Sequence, residues 1–572
     1  MSAAMTGFRT LTEALETAPG ERPFVTFWVD EDEQETVTFG DFRRRSRAQA
    51  SVLRRHDVSH GDRVVIIMPQ GIAGMTVFAG AMMLGAVPAF IAYPNFKIEP
   101  AKYRSGLVGV TANLGAKVVV LDEQFPEDLP GHVSLGVAAK LVRARDTKAA
   151  DGPELPPRKP HPHGLAFIQH SAGTTGLQKG VALTHTAVLT QIGYLAEALE
   201  VNPAQDRIYS WLPLYHDMGL IACFMLPMVC HVPLVMQSPL DWVMQPETML
   251  QVIAEHKCTL AWLPNFAFQF VARRTPKEQR TQWDLSSVRG LINCSEPVRA
   301  SSMDEFAKTF ATAGLRKNAL QSSYAMAENV FAVTQSDLRH APFRLWTSGQ
   351  RFRSEHVIET VAPGTPGAIC FASSGRLLRH HELRIISDSG MELTAGSVGE
   401  IVIRSGCLFD GYYNRPDLTA EALVDGWYRT GDLGFVHDGE LYVVGRKKDL
   451  IIVGGENLYP QDIEEIVGQH AAVHDGRAVA MGLYNPDLGT EDIVVVAEVE
   501  GGGFLAQSAV IEAEIRRSVV AALGVSIRRV VLKPPKWIVK STAGKPARAA
   551  TREKLLAEHP ELSAPPEEKQ LA

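Results

Sequence analysis

The sequence predicts an α/β protein of at least two domains, and three observations carry that expectation. Through the first two-thirds, short apolar runs of strand length alternate with helical stretches, as in a sheet covered by helices. After Gly399 the pattern turns β-rich, and a smaller α+β unit follows. The 572 residues also exceed what one hydrophobic core holds.

Arg63-Val-Val-Ile-Ile-Met68 reads as a buried strand, 74–84 as a buried helix and 87–92 as the next strand. Lys117-Val-Val-Val-Leu121, Ala166-Phe-Ile168 and Leu291-Ile-Asn-Cys294 continue the strand series. Residues 144–163 are rich in proline and charge and read as a surface connection. Glu400-Ile-Val-Ile-Arg404 and Gly439-Glu-Leu-Tyr-Val-Val444 open the β-rich part. The last unit is expected to hold strands near 478–481 and 492–498 and a helix near 509–523. The polar, proline-bearing tail after about Glu558 reads as disordered.

Hydrophobic residues make up 45% and charged residues 21%, as in a soluble globular protein. A net charge of −7 gives no case for nucleic acid or an anionic membrane as partner. Val64 to Phe96 carries no charge and is long enough to span a bilayer. Pro69, Gln70, Pro88, Pro94 and four glycines interrupt it, so buried α/β core is expected rather than stable membrane insertion. The start shows no basic segment followed by an apolar one, hence no signal peptide. Six cysteines without C-x-x-C or metal-ligand spacing read as reduced thiols of a cytoplasmic protein.

The most informative motif is Ser171-Ala-Gly-Thr-Thr-Gly-Leu-Gln-Lys-Gly180. Its backbone N–H groups and Thr hydroxyls can point at phosphate oxygens, and Lys179 can neutralise their charge. It is not a Walker A loop, because Gly180 and Val181 follow the lysine. Four further segments stand in order behind it: Tyr324-Ala-Met-Ala-Glu328, Tyr428-Arg-Thr-Gly-Asp432, Gly445-Arg-Lys-Lys-Asp449 and Lys540-Ser-Thr-Ala-Gly-Lys545.

In that order the five motifs resemble the adenylate-forming superfamily of acyl-CoA synthetases, firefly luciferase, nonribosomal adenylation domains and fatty acyl-AMP ligases. The resemblance runs from about Phe24 to about Leu555. It implies an enzyme that activates a carboxylic acid with ATP and Mg²⁺. It also implies a large N-terminal domain of α/β and β-barrel subdomains, here 1–445, and a small mobile α+β C-terminal domain, here 446–572. Ser171, Gly173, Thr174, Thr175, Gly176 and Lys179 would then cradle the polyphosphate, despite Gln178 where the family usually has proline. Thr175 and Glu328 would hold Mg²⁺. Ser295-Glu296-Pro297 and Ser323-Tyr324-Ala325-Met326 would line the adenine pocket, with Tyr324 as its flat face. Asp432 and Arg446 would take the ribose, and Lys448 aligns with the hinge residue. Lys545 would bridge the substrate carboxylate and the α-phosphate as the catalytic lysine.

Two features resemble the fatty acyl-AMP ligases in particular. Trp211-Leu-Pro-Leu-Tyr-His-Asp-Met-Gly-Leu220 looks like their signature and would place His216 near the acyl and phosphate groups. About 45 residues separate Glu328 from Ser374-Gly-Arg376, longer than acyl-CoA synthetases usually need. That insertion, roughly 333–372, would restrain the C-terminal domain and disfavour free CoA. Tyr459-Pro-Gln-Asp-Ile-Glu464 agrees, whereas Gly454-Gly-Glu-Asn457 resembles the CoA synthetases. The expectation is therefore a fatty acid activated to acyl-AMP and passed to a separate holo acyl carrier protein. No carrier domain is expected in the 27 residues after Lys545. The alternatives are a medium- or long-chain acyl-CoA synthetase and an adenylating ligase for an unusual, non-fatty acid. Met218–Met228 and Trp262–Phe270 are the expected acyl-pocket walls, with Phe266, Phe268 and Phe270 as apolar candidates.

Overall fold

The computed structural model describes residues 7–94, 100–123, 125, 140–143, 160–170, 179–453, 456–485, 488–499, 507–540 and 545–562. Its largest sheet has nine strands. Their order is Arg376–Leu377, Ala332–Gln335, Leu320–Ala325, Gly290–Asn293, Leu260–Leu263, Ile208–Ser210, Leu234–Gln237, Pro23–Trp28 and Gln34–Thr38. The run from Leu320–Ala325 to Pro23–Trp28 is parallel, and the outer pairs are antiparallel. Helices cover both faces of such a sheet, so its strands read as unbroken apolar runs. Leu260-Ala-Trp-Leu263, buried at all four positions, is one of them.

A second, four-stranded sheet is parallel throughout: Val87–Phe90, Arg63–Ile67, Val118–Leu121 and Lys140–Arg143. The uncharged stretch from Val64 thus becomes strand, helix Ile72–Met83 and strand, inside the core. Among the described residues no helix is long and apolar enough to cross a membrane. Helix Ile72–Met83 packs so closely on helix Phe39–Arg55 that a Cβ on Gly80 would lie 2.5 Å from the Ser46 carbonyl oxygen. Only glycine permits that approach.

The β-rich stretch folds as an antiparallel sheet of Glu382–Ile386, Gly399–Arg404, Trp427–His437, Leu423–Val424 and Glu440–Arg446. The ribbon Arg344–Ser348/Ala368–Ala372 packs across it through Leu345, joined by Phe352 of the intervening helix Gly349–Glu355. Residues 451–562 build the smaller α+β unit. It holds the hairpin Ile451–Val453/Glu456–Leu458, a sheet of Val473–Asn485, Thr490–Val499 and Ile527–Lys533, and helices Pro460–Gly468, Ser508–Leu523 and Arg548–Glu558. Two apolar clusters belong wholly to this unit.

Three expectations need adjustment. The expected disordered tail cannot begin at Glu558 itself, because Leu562 is only 4% exposed and packs in the same cluster as Leu555; the rest of that tail, 563–572, lies outside the described residues. The insertion begins later than 333, because Ala332–Gln335 is a buried strand of the main sheet. Most of the expected connection, 144–159, lies outside the described residues.

His170 and His185 are both buried, and burial pushes each imidazole pKa from 6.5 down to about 4. His185 stays unprotonated at Nδ1 to accept the Leu11 N–H at 3.3 Å. The folded state therefore binds fewer protons than the unfolded chain between those two pH values. Stability present above pH 6.5 should fall as pH drops towards 4. Denaturant unfolding across that range checks this, and a flat profile would contradict it.

Candidate active site

The carboxyl ends of neighbouring parallel strands deliver most of the expected site, as the topology of open α/β sheets requires. Ile208–Ser210 leads into Trp211 and His216, Gly290–Asn293 into Ser295-Glu296-Pro297, and Leu320–Ala325 carries Tyr324 and ends before Glu328. The phosphate-cradle residues Ser171, Gly173, Thr174, Thr175 and Gly176 lie outside the described residues. The last member of the cradle, Lys179, is described, and its ammonium sits 4.5 Å from the centroid of the Tyr412 ring.

Tyr412 also donates its hydroxyl to Glu328 Oε1 at 2.7 Å and lies 3.3 Å from the Tyr428 hydroxyl. It thereby joins the cradle lysine to the expected metal carboxylate. The second Glu328 oxygen accepts no hydrogen bond among the described residues, which leaves a hard oxygen suited to Mg²⁺. The turn carrying Glu328 is strained. Val330 has φ 62° and ψ −54°, and the Phe331 N–H donates to the Asn329 carbonyl at 2.6 Å. This is the rare positive-φ γ-turn, at a β-branched residue that disfavours it by about 1–3 kcal/mol. Asn329, fully buried, holds the turn. Its amide donates to Gln191 Oε1 (3.2 Å) and the Ala332 carbonyl (2.9 Å), and its Oδ1 accepts from Ser405 (2.6 Å).

A second group forms around Asp432. Strand pairing sets Asp432 opposite Arg446, with Nε to Oδ1 at 3.2 Å. The Tyr324 hydroxyl donates to Asp432 Oδ2 at 2.7 Å. Burial and then the Asp432 charge push the Tyr324 pKa well above the ordinary phenol range. Asp432 in turn raises that of Arg446. Both Asp432 oxygens are thus engaged. Ser323 lies behind, its hydroxyl donating to the Thr334 carbonyl at 2.7 Å. Ala325 and Met326 are partly buried, and Pro297 is exposed at the edge.

The third group centres on Lys545. Its ammonium donates to the Ser295 carbonyl, which a left-handed backbone at Ser295 (φ 68°) turns away from the regular strand direction. Glu296 accepts the Phe266 N–H at 3.0 Å, at the amino end of helix Asn265–Arg274. Burial pushes the Lys545 pKa below that of an ordinary lysine. Glu296 and Asp217 pull it back up, while Arg446 adds to the lowering. His216 Nδ1 lies 2.7 Å from Asp217 Oδ1. The Met218 N–H is 2.7 Å from the same Asp217 oxygen but 3.3 Å from His216 Nδ1. The shorter contacts identify Nδ1–H as a donor to Asp217, so Nε2 is an acceptor in the neutral ring and can donate to a ligand oxygen only in the imidazolium. Burial alone would raise the Asp217 pKa, but His216 and Lys545 hold it below the usual carboxylate value.

His216 precedes the π-helix Met218–Met225, all of it buried. Gly219 is required there, since a Cβ would collide with the Pro213 carbonyl oxygen. Trp211 stacks on Trp242 at 3.6 Å, with Phe266 and Phe270 against the pair. Phe268 instead points into the core against Phe306, so it is packing rather than pocket wall. Lys448 is exposed in the turn Lys447–Asp449, directly after the strand that ends at Arg446.

Sequence reasoning did not single out Tyr412 or Asp217. Asp217 was legible as the neighbour of His216. Tyr412 was not, because its place comes from pairing with Val181 across the sheet.

The chain is similar to known proteins over most of its length. Long-chain-fatty-acid–AMP ligase FadD26 of Mycobacterium marinum is 30% identical over 95% of this chain and 96% of that protein. A 4-hydroxyphenylalkanoate adenylyltransferase of the same organism is 29% identical over 95% and 91%. A solved structure from work on the fatty acyl-adenylate ligases of E. coli and L. pneumophila superimposes with a TM-score of 0.89. It shares 25% identity and covers 97% of this chain and 99% of its own. The pattern of the AMP-binding enzyme family matches residues 11–413, and the chain belongs to that family.

Proposed function

We propose that this protein uses ATP to activate a fatty acid as acyl-AMP, releasing pyrophosphate, and then passes the acyl group to the phosphopantetheine thiol of a separate holo acyl carrier protein. The observation that carries this reading is the convergence of Lys545, Ser295, Asp217 and Arg446 at the strand ends. Similarity to a fatty-acid–AMP ligase over nearly the whole chain supports the choice of acid.

The chemistry follows from charge. A carboxylate oxygen attacks the α-phosphorus, the new O–P bond forms, and the bond to the β-phosphate oxygen breaks. Two anions must meet, so the site needs cations and fixed dipoles where they meet. Lys545 would bridge them, releasing the Ser295 carbonyl to do so. Lys179 would neutralise the polyphosphate, and Glu328, with Thr175, would hold Mg²⁺, which supplies further charge neutralisation when bound. Tyr324 would face the adenine, Asp432 and Arg446 would hold the ribose, and His216, as the imidazolium paired with Asp217, would donate from Nε2 to an oxygen of the acyl-adenylate. In the second step the thiol sulfur bonds to the acyl carbon and AMP leaves.

The choice of acceptor rests on the insertion. Phe352 from the insertion stacks on Tyr459 with ring centroids 5.3 Å apart, and His356 approaches Asn457 at 3.4 Å. Leu450 packs at the edge of the same cluster. The insertion therefore grips the segment just beyond the exposed turn with Lys448, where a rotation that admits free CoA would have to occur. Gly455, where the CoA synthetases admit pantetheine, lies outside the described residues. The use of ATP and six free cysteines support a cytoplasmic setting.

Lys545→Ala should abolish acyl-AMP formation while leaving ATP binding nearly unchanged; mass spectrometry of the product and a nucleotide titration check both, and normal turnover would remove Lys545 from the reaction. Tyr412→Phe loses one hydrogen bond to a charged group, about 1.5 kcal/mol, so half-saturation by Mg²⁺–ATP should rise about tenfold. An unchanged titration would leave Tyr412 a packing residue. Shortening the insertion between 336 and 372 should convert acyl-AMP that persists beside free CoA into acyl-CoA. If acyl-AMP still persists, the insertion does not set the acceptor.

A further inference from the structure

We propose that Arg299 is a positioning residue for Lys545, a latch that holds the smaller unit in the acid-activating arrangement and must open before transfer. The inference rests on the functional reading above, because it concerns the step between the two half-reactions.

The root of Arg299 is fixed. It follows Ser295-Glu296-Pro297 by two residues, and its backbone N–H donates to Asn265 Oδ1 at 3.0 Å. That same oxygen accepts from Asn293 at 2.9 Å, and the Asn265 amide donates to Ser302 at 3.0 Å. From this base the guanidinium reaches helix Pro460–Gly468. It lies 3.2 Å from Asp462 and 2.8 Å from Glu465, two carboxylates one turn apart on one helix face. Ser301 adds a hydrogen bond to Glu465 at 3.0 Å. Exposed ion pairs contribute little, because long side chains lose freedom and water screens the charges. Arg299 differs: its side chain is only 25% exposed, as is that of Asp462, and its backbone is already ordered.

The helix so gripped is wired to Lys545. Arg548, three residues beyond the lysine, donates to Glu464 at 2.6 Å, to Asp449 at 2.9 Å and to the Ala480 carbonyl at 2.9 Å. Asp449 closes the turn that carries Lys448. One short segment, 295–301, therefore touches the lysine directly through Ser295 and holds its carrier indirectly through Arg299. Opening the Arg299 pairs would free the helix, the turn and the lysine together.

The test compares Arg299→Ala with the wild type in three measurements. Pyrophosphate release with ATP, Mg²⁺ and a fatty acid reads the first step. Transfer from chemically supplied acyl-AMP to a phosphopantetheine thiol reads the second. Trypsin cleavage at Lys447 and Lys448 reads the exposure of the turn. A latch predicts a kcat for the first step lowered roughly 10- to 100-fold with KM for ATP within about twofold. It also predicts transfer at the wild-type rate or faster, and quicker cleavage. The swapped pair Arg299→Glu with Glu465→Arg should recover most of the first step and slow the cleavage again. Equal losses in both steps, no loss in the first, or no rescue by the swap would overturn the proposal. If the wild type makes no acyl-AMP from any fatty acid, the functional reading fails instead, and the cleavage rates of Arg299→Ala and the swapped pair still decide the latch.

Discussion

The interaction on which the rest of the site depends is the Lys545 ammonium resting on the Ser295 carbonyl, where the proposed function would bring two anions together. Lys545 and its partner Ser295 are 250 residues apart in the chain. The lysine sits on a small unit with its own apolar clusters, and the carbonyl sits at the end of a strand of the main sheet. No local propensity can set such a distance. It depends on the strand ends being level, on the smaller unit being seated against them, and on Ser295 adopting a backbone conformation that non-glycine residues avoid.

Two of the positive-φ, non-glycine positions flank the candidate site. Ser295 and Val330 both have positive φ, and both stand within a few residues of groups assigned to the nucleotide or the acid. Each is over-determined by surrounding contacts. At Val330 the restraint comes from Asn329, whose side chain is saturated by Gln191, Ser405, His381 and a backbone carbonyl. Buried polar groups of this kind are expensive when unpaired and rigid when paired. The network therefore fixes the Glu328 turn before any ligand arrives, and less reorganisation remains for the moment of reaction.

Much of this was legible in the sequence, for an identifiable reason. Tyr324, Glu328, Asp432 and Arg446 lie in short contiguous motifs, at strand ends except for Asp432 inside Trp427–His437, and there residue type and spacing survive as a readable string. The apolar runs of the two parallel sheets were equally plain, because strands buried on both faces leave no polar alternation to confuse them. Tyr412 and Arg299 were not legible, since their partners are 84 and 163 residues away. The start of the insertion was misplaced for a related reason. Ala332-Val-Thr-Gln335 carries the ordinary residues of a strand, and only its antiparallel pairing with Leu320–Ala325 shows that it belongs to the main sheet.

The two grips on the smaller unit differ in kind, and that difference bears on how a hinge between them behaves. The insertion holds Tyr459 and Leu450 through apolar contact, which is non-directional and loses strength gradually as surfaces slide. Arg299 holds Asp462 and Glu465 through charge-assisted hydrogen bonds, which weaken steeply with angle and leave buried charge exposed to its own desolvation penalty when broken. Under the proposed latch, the apolar grip would limit how far the unit can travel, and the polar grip would decide whether it leaves its seat at all. A molecule with only the first would wander between arrangements. With only the second, it would open fully once the pair broke. If the proposed function and the latch both hold, the two grips together would permit two seated positions separated by a restricted swing, which would suit an enzyme that keeps a reactive acyl-adenylate for a bulky carrier rather than a small diffusing thiol.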